Sequence, residues 1–199
     1  MSFAGLYGAG IFGWGTTELG LFAIFAIISA VPGTIYGGVL DDRLGSKRAV
    51  ILAIAGLLIA SLGVVSVGPA EIFFVIPVSP VDPSSGLFSS PAEQTFLAFG
   101  LLAGLCVGPA QAASRTLMAR LAPHGMVAEF FGLYALSGKA TSFLAPLLIG
   151  IVTAATGSQR PGIAVLVVLM ALGLALLLSV RVERAAIASD GQLSPKGEA

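Results

Sequence analysis

The chain has 199 residues, of which 56% are hydrophobic and only 10% are charged, and its mean hydropathy is +0.99. A soluble domain carries about 25% charged residues, so this composition excludes a soluble enzyme and a disordered chain. Ten basic and ten acidic residues give a net charge of zero, which leaves no basic surface for nucleic acid. The single cysteine, Cys106, excludes an internal disulfide, and the single histidine, His124, excludes a zinc-type ligand cluster. The class that fits is an all-α protein that crosses a membrane several times.

Apolar runs between charged residues predict where the helices cross the bilayer. A spanning helix needs about 20 apolar residues. We expect five complete spans, at about residues 16–40, 49–67, 95–113, 130–155 and 162–180. Residues 1–15 are also apolar, but a helix of that length reaches only about 22 Å and the bilayer core is about 30 Å thick. This segment is therefore predicted to be the end of a sixth span, and it lacks the basic start and the cleavage site of a signal peptide.

The basic residues predict which side of the membrane each connection faces. They fall mainly on alternate connections, and the basic connections of membrane proteins stay in the cytoplasm. Residues 1–182 are thus expected to form one transmembrane unit, followed by a disordered cytoplasmic tail at residues 183–199. The longest connection, about residues 68–94, contains five prolines, which exclude a regular helix there. The basic residues assigned to the cytoplasmic side are Arg43, Lys47, Arg48, Arg115, Arg120, Arg181, Arg184 and Lys196.

The connection between the first two spans carries a short motif, GVLDDRLGSKR, at residues 38–48. A tight turn between two helices needs glycine where the chain reverses, which suits Gly45. The free N–H groups at the start of the next helix favour a nearby carboxylate such as that of Asp42. Charge alone does not distinguish a simple cytoplasmic turn from a functional loop.

The spacing G-x-L-x-D-R-x-G-x-K-R resembles the signature loop of the major facilitator superfamily. Further segments resemble the branch of that superfamily related to the fungal vacuolar amino-acid effluxer of autophagy, which has many bacterial members described as transporter permeases. The resemblance extends over about residues 5–182. It is carried by residues 7–14, 16–18 and 40–47, by QAASRTLMARLAP at 111–123 and by EFFGLYALSGKAT at 129–141.

The resemblance implies a fold of two six-helix halves with the substrate site between them, of which this chain would supply the C-terminal half. It implies secondary transport of a small solute, with amino acids as the expected class, by alternating access in a bacterial cytoplasmic membrane. Gly38, Asp42, Arg43 and Gly45 would then control the change of conformation. Two alternatives stay open: a truncated, inactive fragment, and a subunit that needs a separate N-terminal six-helix half as its partner.

Lys139 lies about nine residues into the fourth span, so its side chain is expected near the middle of the bilayer. A cation at that depth costs at least about 2.5 kcal/mol, and such residues usually face a cavity or a partner. Gly132, Ala135, Ser142 and Pro146 share its helical face, which is small and polar. Lys139 is either a countercharge for an anionic or zwitterionic substrate or a member of a structural ion pair. In the first case Ser142 also belongs to the substrate pathway.

The third span begins with a small-residue stripe, Gly100, Gly104 and Gly108, which predicts close packing against another helix. Pro109 follows the stripe and is expected to kink the helix. This packing would bring the polar end of the span close to a neighbouring helix.

Beyond Pro109, three polar residues share one helical face. Gln111 and Ser114 are candidates for the substrate pathway, and Arg115 is a candidate for gating. We expect Arg115 to contact Asp42 and hold the inner ends of two helices together.

Glu18 lies near the outer start of the first full span, where it is either a headgroup-level acid or a proton-coupling carboxylate. The sequence contains no nucleophile–base pair and no phosphate-binding loop, so we expect a protein that is not an enzyme and that holds no cofactor or metal. The expected partners are the lipid bilayer, a small solute and an N-terminal half, with no nucleic acid.

Overall fold

The computed structural model describes residues 3–79, 86–123 and 125–180. The predicted tail at 183–199 and His124 lie outside the described residues. Within these ranges the strands form one two-stranded hairpin and the remaining elements are helices. In chain order the elements are α1 (Phe3–Phe12), α2 (Thr16–Leu44), α3 (Ser46–Ser66), β1 (Glu71–Ile72), β2 (Ile76–Pro77), α4 (Pro91–Leu121), α5 (Val127–Thr141), α6 (Leu144–Thr156) and α7 (Gln159–Ser179).

Five helical segments of the described chain are long and apolar enough to cross a bilayer. They are α2, α3, α4, α7 and the pair α5–α6, so the prediction of an all-α membrane protein with five complete spans is confirmed. α1 has only 10 residues, too few to cross a bilayer core of about 30 Å. We call the two ends of the bundle the Gly45 end, where α2 turns into α3, and the Trp14 end, where α1 turns into α2.

The glycine stripe of α4 packs directly against α2, as predicted. A Cβ atom added to Gly104 would lie 2.5 Å from the carbonyl oxygen of Ala26, and one added to Gly108 would lie 2.6 Å from the hydroxyl of Thr34. Both distances are too short for carbon in van der Waals contact, so only glycine fits at these two positions. Close approach of two backbones is the usual role of small residues in membrane helices.

α2 contributes two glycines of its own to the same contact. A Cβ atom added to Gly37 would lie 2.6 Å from the ring of Pro109, and one added to Gly33 would overlap the backbone of Leu105. α4 continues as a helix through Pro109, whose ring rests on the space that Gly37 leaves. The sequence interpretation missed Gly33 and Gly37, although their spacing of four is the same signal as in the stripe of α4.

An aromatic cluster fills the Trp14 end. The ring of Trp14 lies 5.3 Å from that of Phe96 at 89°, the edge-to-face arrangement that aromatic pairs prefer. The rings of Phe12 and Trp14 stack at 5.5 Å. The cluster joins α1, α2 and α4 into one apolar core. Its buried aromatic members are Tyr7, Phe12, Trp14, Phe22 and Phe96.

Beside this cluster lies a buried carboxylate, that of Glu93, which is only 3% exposed. One oxygen accepts a hydrogen bond from the indole N–H of Trp14 at 2.8 Å, and the other accepts from the backbone N–H of Ser90 at 3.2 Å. The backbone N–H of Glu93 donates to the hydroxyl of Ser90 at 3.1 Å, which completes a capping box at the start of α4. Because both oxygens are bonded, the polar group can be buried, and it fixes the α1–α2 junction to α4.

The start of α7 is held at the same end by Arg160. Its guanidinium donates to Glu71 at 2.7 Å and to the hydroxyl of Tyr7 at 3.2 Å, and it lies 5.5 Å from the centre of the Phe74 ring. Glu71 belongs to the hairpin, in which it lies opposite Pro77. Before α4, the described part of the proline-rich connection contains this hairpin and no helix. The predicted absence of a helix up to residue 94 is wrong at its end, because α4 begins at Pro91, and the missing N–H of proline is tolerated in the first turn of a helix.

At the Gly45 end, the turn and a polar contact join α2, α3 and α4. Gly45 has a φ of +85°, a conformation that favours glycine, so its predicted role in the turn is confirmed. The hydroxyl of Ser46 donates to the carboxylate of Asp41 at 2.5 Å, and a guanidinium nitrogen of Arg120 lies 4.0 Å from the same oxygen. This contact links the end of α2 to the start of α3 and the end of α4.

The expected contact between Arg115 and Asp42 is not among the ion pairs of the described residues. Successive side chains of a helix point about 100° apart, so Asp41 faces α4 while Asp42 is exposed. Arg120 lies five residues beyond Arg115, about 7.5 Å nearer to the Gly45 end. In this conformation the predicted pair is therefore replaced by Asp41 and Arg120.

The Gly45 end is also joined to the end of α7. The ammonium of Lys47 donates to the carbonyl oxygens of Leu178 at 3.2 Å and Val180 at 2.5 Å. The last carbonyl groups of a helix lack partners within it and carry partial negative charge. The ammonium group of Lys47 supplies both hydrogen-bond donors and a positive charge, so it stabilises the end of α7.

We expect Gly33→Ala to lower the thermal stability of the protein, because the new methyl group overlaps the backbone of Leu105. Overpacking of this kind costs about 1–3 kcal/mol. Gly20→Ala on the same helix is the matched control, since nothing lies within 4 Å of its Cβ position. Its melting temperature should stay the same or rise, because alanine favours a helix. Thermal melting in detergent micelles, followed by circular dichroism, measures both variants, and equal melting temperatures would contradict the close contact of α2 and α4.

We expect Asp41→Ala to destabilise the protein while Asp42→Ala leaves its melting temperature unchanged. Asp41 loses a hydrogen bond from Ser46 and the nearby Arg120, and a hydrogen bond to a charged group contributes about 1.5–3 kcal/mol. Asp42 is an exposed carboxylate in the last turn of the same helix, where the helix dipole disfavours it. The same melting experiment compares the two variants. A larger fall in melting temperature for Asp42→Ala than for Asp41→Ala would show that Asp42, not Asp41, makes the stabilising contact.

Candidate functional site

The span formed by α5 and α6 differs from the others because no residue of either helix is buried. α5 contacts α4 on one side and α6 at its end, and the rest of its surface is open. Between the two helices, Ser142 and Phe143 keep right-handed helical backbone angles. What is interrupted there is the regular hydrogen bonding, because the N–H of Ser142 bonds to the carbonyl oxygen of Lys139, three residues earlier, at 3.3 Å. The sequence interpretation placed a span here without predicting this interruption.

A cleft of 660 Å³ lies between α5 and α4. Its α5 residues recur at intervals of three or four, which places them on one face of the helix. Small-molecule sites usually enclose about 300–1,000 Å³, so the cleft is large enough for a small solute. It is lined by Arg115 of α4, by Phe131, Tyr134, Ala135, Gly138 and Lys139 of α5, and by Ser142 at the interruption.

The charged residues that line the cleft are two cations, Arg115 and Lys139. Neither forms an ion pair with a residue that the structure describes. Lys139 lies twelve residues after the start of α5, so it is about 18 Å along that helix. Cations at such a depth in a membrane are tolerated when they face water or a partner, and the cleft provides that space.

Hydroxyl groups satisfy the backbone where the span is interrupted. The hydroxyl of Ser142 donates to the carbonyl oxygen of Lys139 at 2.8 Å, and that of Thr141 donates to Ser137 at 2.8 Å. A hydroxyl that bonds to a carbonyl oxygen three or four residues earlier supplies the backbone with a partner and often bends a helix locally. Lys139 and Ser142 therefore lie together at an irregular turn of the span, on the wall of the cleft.

Tyr134 is positioned by a contact from the neighbouring helix. Its hydroxyl lies 3.0 Å from that of Ser114 on α4. Either hydroxyl can be the donor of this hydrogen bond, and the hydroxyl of Ser114 also lies within donating distance, 3.0 Å, of the carbonyl oxygen of Gln111. The pair holds the aromatic ring at the wall of the cleft.

The structure brings together three of the residues selected from the sequence, namely Lys139, Ser142 and Arg115. Ser114 does not line the cleft but is hydrogen-bonded to Tyr134, which does. Gln111 is exposed and does not line the cleft. Of the small face predicted around Lys139, Ala135 and Ser142 line the cleft, and Gly132 and Pro146 do not.

The sequence interpretation missed Phe131 and Tyr134 as members of the site. Both could have been found by continuing the helical period of Lys139 towards the start of α5. The residues predicted to control conformation lie elsewhere, at the Gly45 end. There Asp42 and Arg43 are exposed and nothing lies within 4 Å of a Cβ atom on Gly38.

Glu18 lies in the first turn of α2, at the Trp14 end, far from the cleft. Its side chain is partly buried beside Gly15, and the proposed coupling role stays a prediction. Within the described ranges, no group of three or more histidine, cysteine, aspartate or glutamate side chains has the arrangement of a metal site.

Comparison with solved structures places this architecture in the fold of major facilitator transporters. The inward open conformation of the xylose transporter XylE from E. coli superposes with a TM-score of 0.65 at 20% sequence identity. The superposition covers 82% of this chain and 37% of the XylE chain. The part that superposes is therefore a little over a third of the XylE chain.

Several curated proteins with similar sequences come from fungi. Autophagy-related protein 22-1 of Neosartorya fischeri is 29% identical over 182 residues, which are 90% of this chain and 29% of that protein. Autophagy-related protein 22 of Cryptococcus neoformans is 27% identical over 179 residues, 90% of this chain and 30% of that protein. The chain thus spans about three tenths of the length of these relatives. The family model described as "Vacuole effluxer Atg22 like" matches residues 1–189. The chain therefore belongs to the family of Atg22-like vacuole effluxers.

Proposed function

We propose that the chain forms one half of a secondary transporter that moves a small solute, of the amino-acid class, by alternating access. The observation that carries the proposal is the cleft between α4 and α5, whose lining contains two cations, Arg115 and Lys139, without an ion-pair partner among the described residues. In alternating access, two halves rock about a site near the midplane of the bilayer. The family and the fold support this function class, since the family is described as effluxers and the superposed XylE as a xylose transporter.

A second six-helix half would supply the opposite wall of the solute pathway. α5 and α6 bury none of their residues, and the chain covers 37% of the XylE chain. An N-terminal half packed on this face would enclose the cleft. The substrate would then lie between the two halves, in contact with Lys139 and Arg115. The alternative, an inactive fragment, is tested by the same experiment as the proposal.

We further propose that the Gly45 end and the C-terminus face the cytoplasm. Arg43, Lys47, Arg48 and Arg120 all lie near that end, which fits the preference of basic residues for the cytoplasmic side. The membrane implied by the sequence motifs is a bacterial cytoplasmic membrane, whereas the curated relatives described above are fungal.

We expect transport when the chain is fused behind the part of the Neosartorya fischeri relative that precedes the matched segment. Proteoliposomes containing the fusion should accumulate radiolabelled amino acids in a saturable manner. Lys139→Ala should lower uptake at low substrate concentration at least tenfold, because a charge-assisted contact is lost. Gln94→Ala is the control, since Gln94 is an exposed polar residue in the first turn of α4, at the Trp14 end and away from the cleft.

The chain alone, reconstituted in the same way, gives the second comparison. Uptake by the chain alone would show that no second half is needed and that the chain is not an inactive fragment. If a fusion that melts cooperatively takes up none of the twenty amino acids, with or without a pH gradient, amino-acid transport is wrong.

A further inference from the structure

We infer that this half of the transporter binds the negatively charged group of the solute, a carboxylate, through Arg115 and Lys139. The inference rests on the proposed function and specifies what its site recognises. It assigns the two cations of the cleft to one ligand group and leaves any positive group of the solute to the opposite wall.

The first argument is the charge of the cleft. Among the residues that the structure describes, both charged side chains that line it are cations and no carboxylate lines it. The acids of the two helices lie far from Lys139: Glu129 is ten residues earlier on α5, about 15 Å away, and Glu93 is buried at the Trp14 end of α4. Arg120, five residues beyond Arg115, adds a further positive charge to the Gly45 side of α4. No described acid on α4 or α5 neutralises the positive charge of the cleft, so the cleft attracts an anion and repels a cation.

The second argument is the uncharged part of the cleft's lining. Phe131 and Ala135 offer an apolar wall, and Tyr134 is held against Ser114. Gly138 leaves the approach to Lys139 unobstructed, with nothing within 4 Å of its Cβ position. An apolar body with a single carboxylate matches this arrangement, because its chain packs on the aromatic side and its charge meets Lys139.

The cation donors suit a carboxylate in particular. A guanidinium presents a fork of N–H groups that matches two carboxylate oxygens, and an ammonium adds a compact point charge. An amide of the same shape offers one oxygen and no charge. The cleft should therefore distinguish an acid from its amide, even where size and apolar surface are identical.

The experiment uses the purified full chain in lipid nanodiscs and isothermal titration calorimetry. The probes are 4-methylpentanoate, its neutral isostere 4-methylpentanamide, and leucine. The carboxylate should bind at least tenfold more tightly than the amide, which corresponds to one charge-assisted contact. Leucine should bind no more tightly than 4-methylpentanoate, because the described residues of the cleft offer no acid to its ammonium group.

Variants assign the preference to the two cations. Lys139→Ala and Arg115→Ala should each weaken binding of 4-methylpentanoate about tenfold and leave the weak binding of the amide unchanged. Lys139→Arg should keep the preference for the acid, because the charge remains. Gln94→Ala should bind all three probes like the unmodified chain. Circular dichroism melting of each variant separates a loss of ligand contact from a loss of fold.

Equal affinity for 4-methylpentanoate and 4-methylpentanamide would overturn the inference. So would unchanged binding of 4-methylpentanoate to Lys139→Ala, or a failure of all three probes to bind. Failure of the proposed function looks different. If the acid preference is present while the fusion transports no amino acid, transport is wrong and the anion site stands. If the fusion transports leucine and leucinamide at equal rates, transport stands and the anion site is wrong.

Discussion

The close approach of α2 and α4 determines where the rest of the molecule lies. Glycines on both helices allow the two backbones to meet, and a single added Cβ atom on Gly33 would overlap its neighbour. Each end of this pair then fixes other elements. Glu93 at the start of α4 holds Trp14, and Arg120 near its end approaches Asp41. Arg115 therefore projects from a helix whose position is set along its whole length.

The cleft differs from the α2–α4 contact, because α5, which forms its second wall, makes few packing contacts. α5 buries no residue, and its span is interrupted beside Lys139. In a membrane, an uncompensated cation is costly unless water, a solute or a second protein wall meets it. A rigid α4 beside a loosely packed α5 thus leaves room for a site that is completed from outside. This agrees with a chain that covers 37% of a transporter of the same fold.

Hydropathy and residue spacing along the chain predicted the five spans, the turn at Gly45 and the packing stripe of α4, because each depends on neighbouring residues alone. Contacts between distant segments were not predictable. Glu93 resembles an ordinary outer acid until Trp14, 79 residues earlier, is found beside it. The choice of Asp41 over Asp42 depends on a rotation of 100° that charge patterns do not report. Lys139 was found because its depth is anomalous, whereas the roles of the site residues stay predictions.

The hydrogen bond between Trp14 and Glu93 also determines which part of the protein tryptophan fluorescence reports on. Trp14 is the single tryptophan of the sequence, and its indole N–H is bonded to a carboxylate that is only 3% exposed. Intrinsic tryptophan fluorescence therefore monitors one end of the bundle, while the cleft contains no indole among its lining residues. Local loosening of the aromatic cluster would change the emission before the helices melt, and occupation of the cleft would pass without a direct signal.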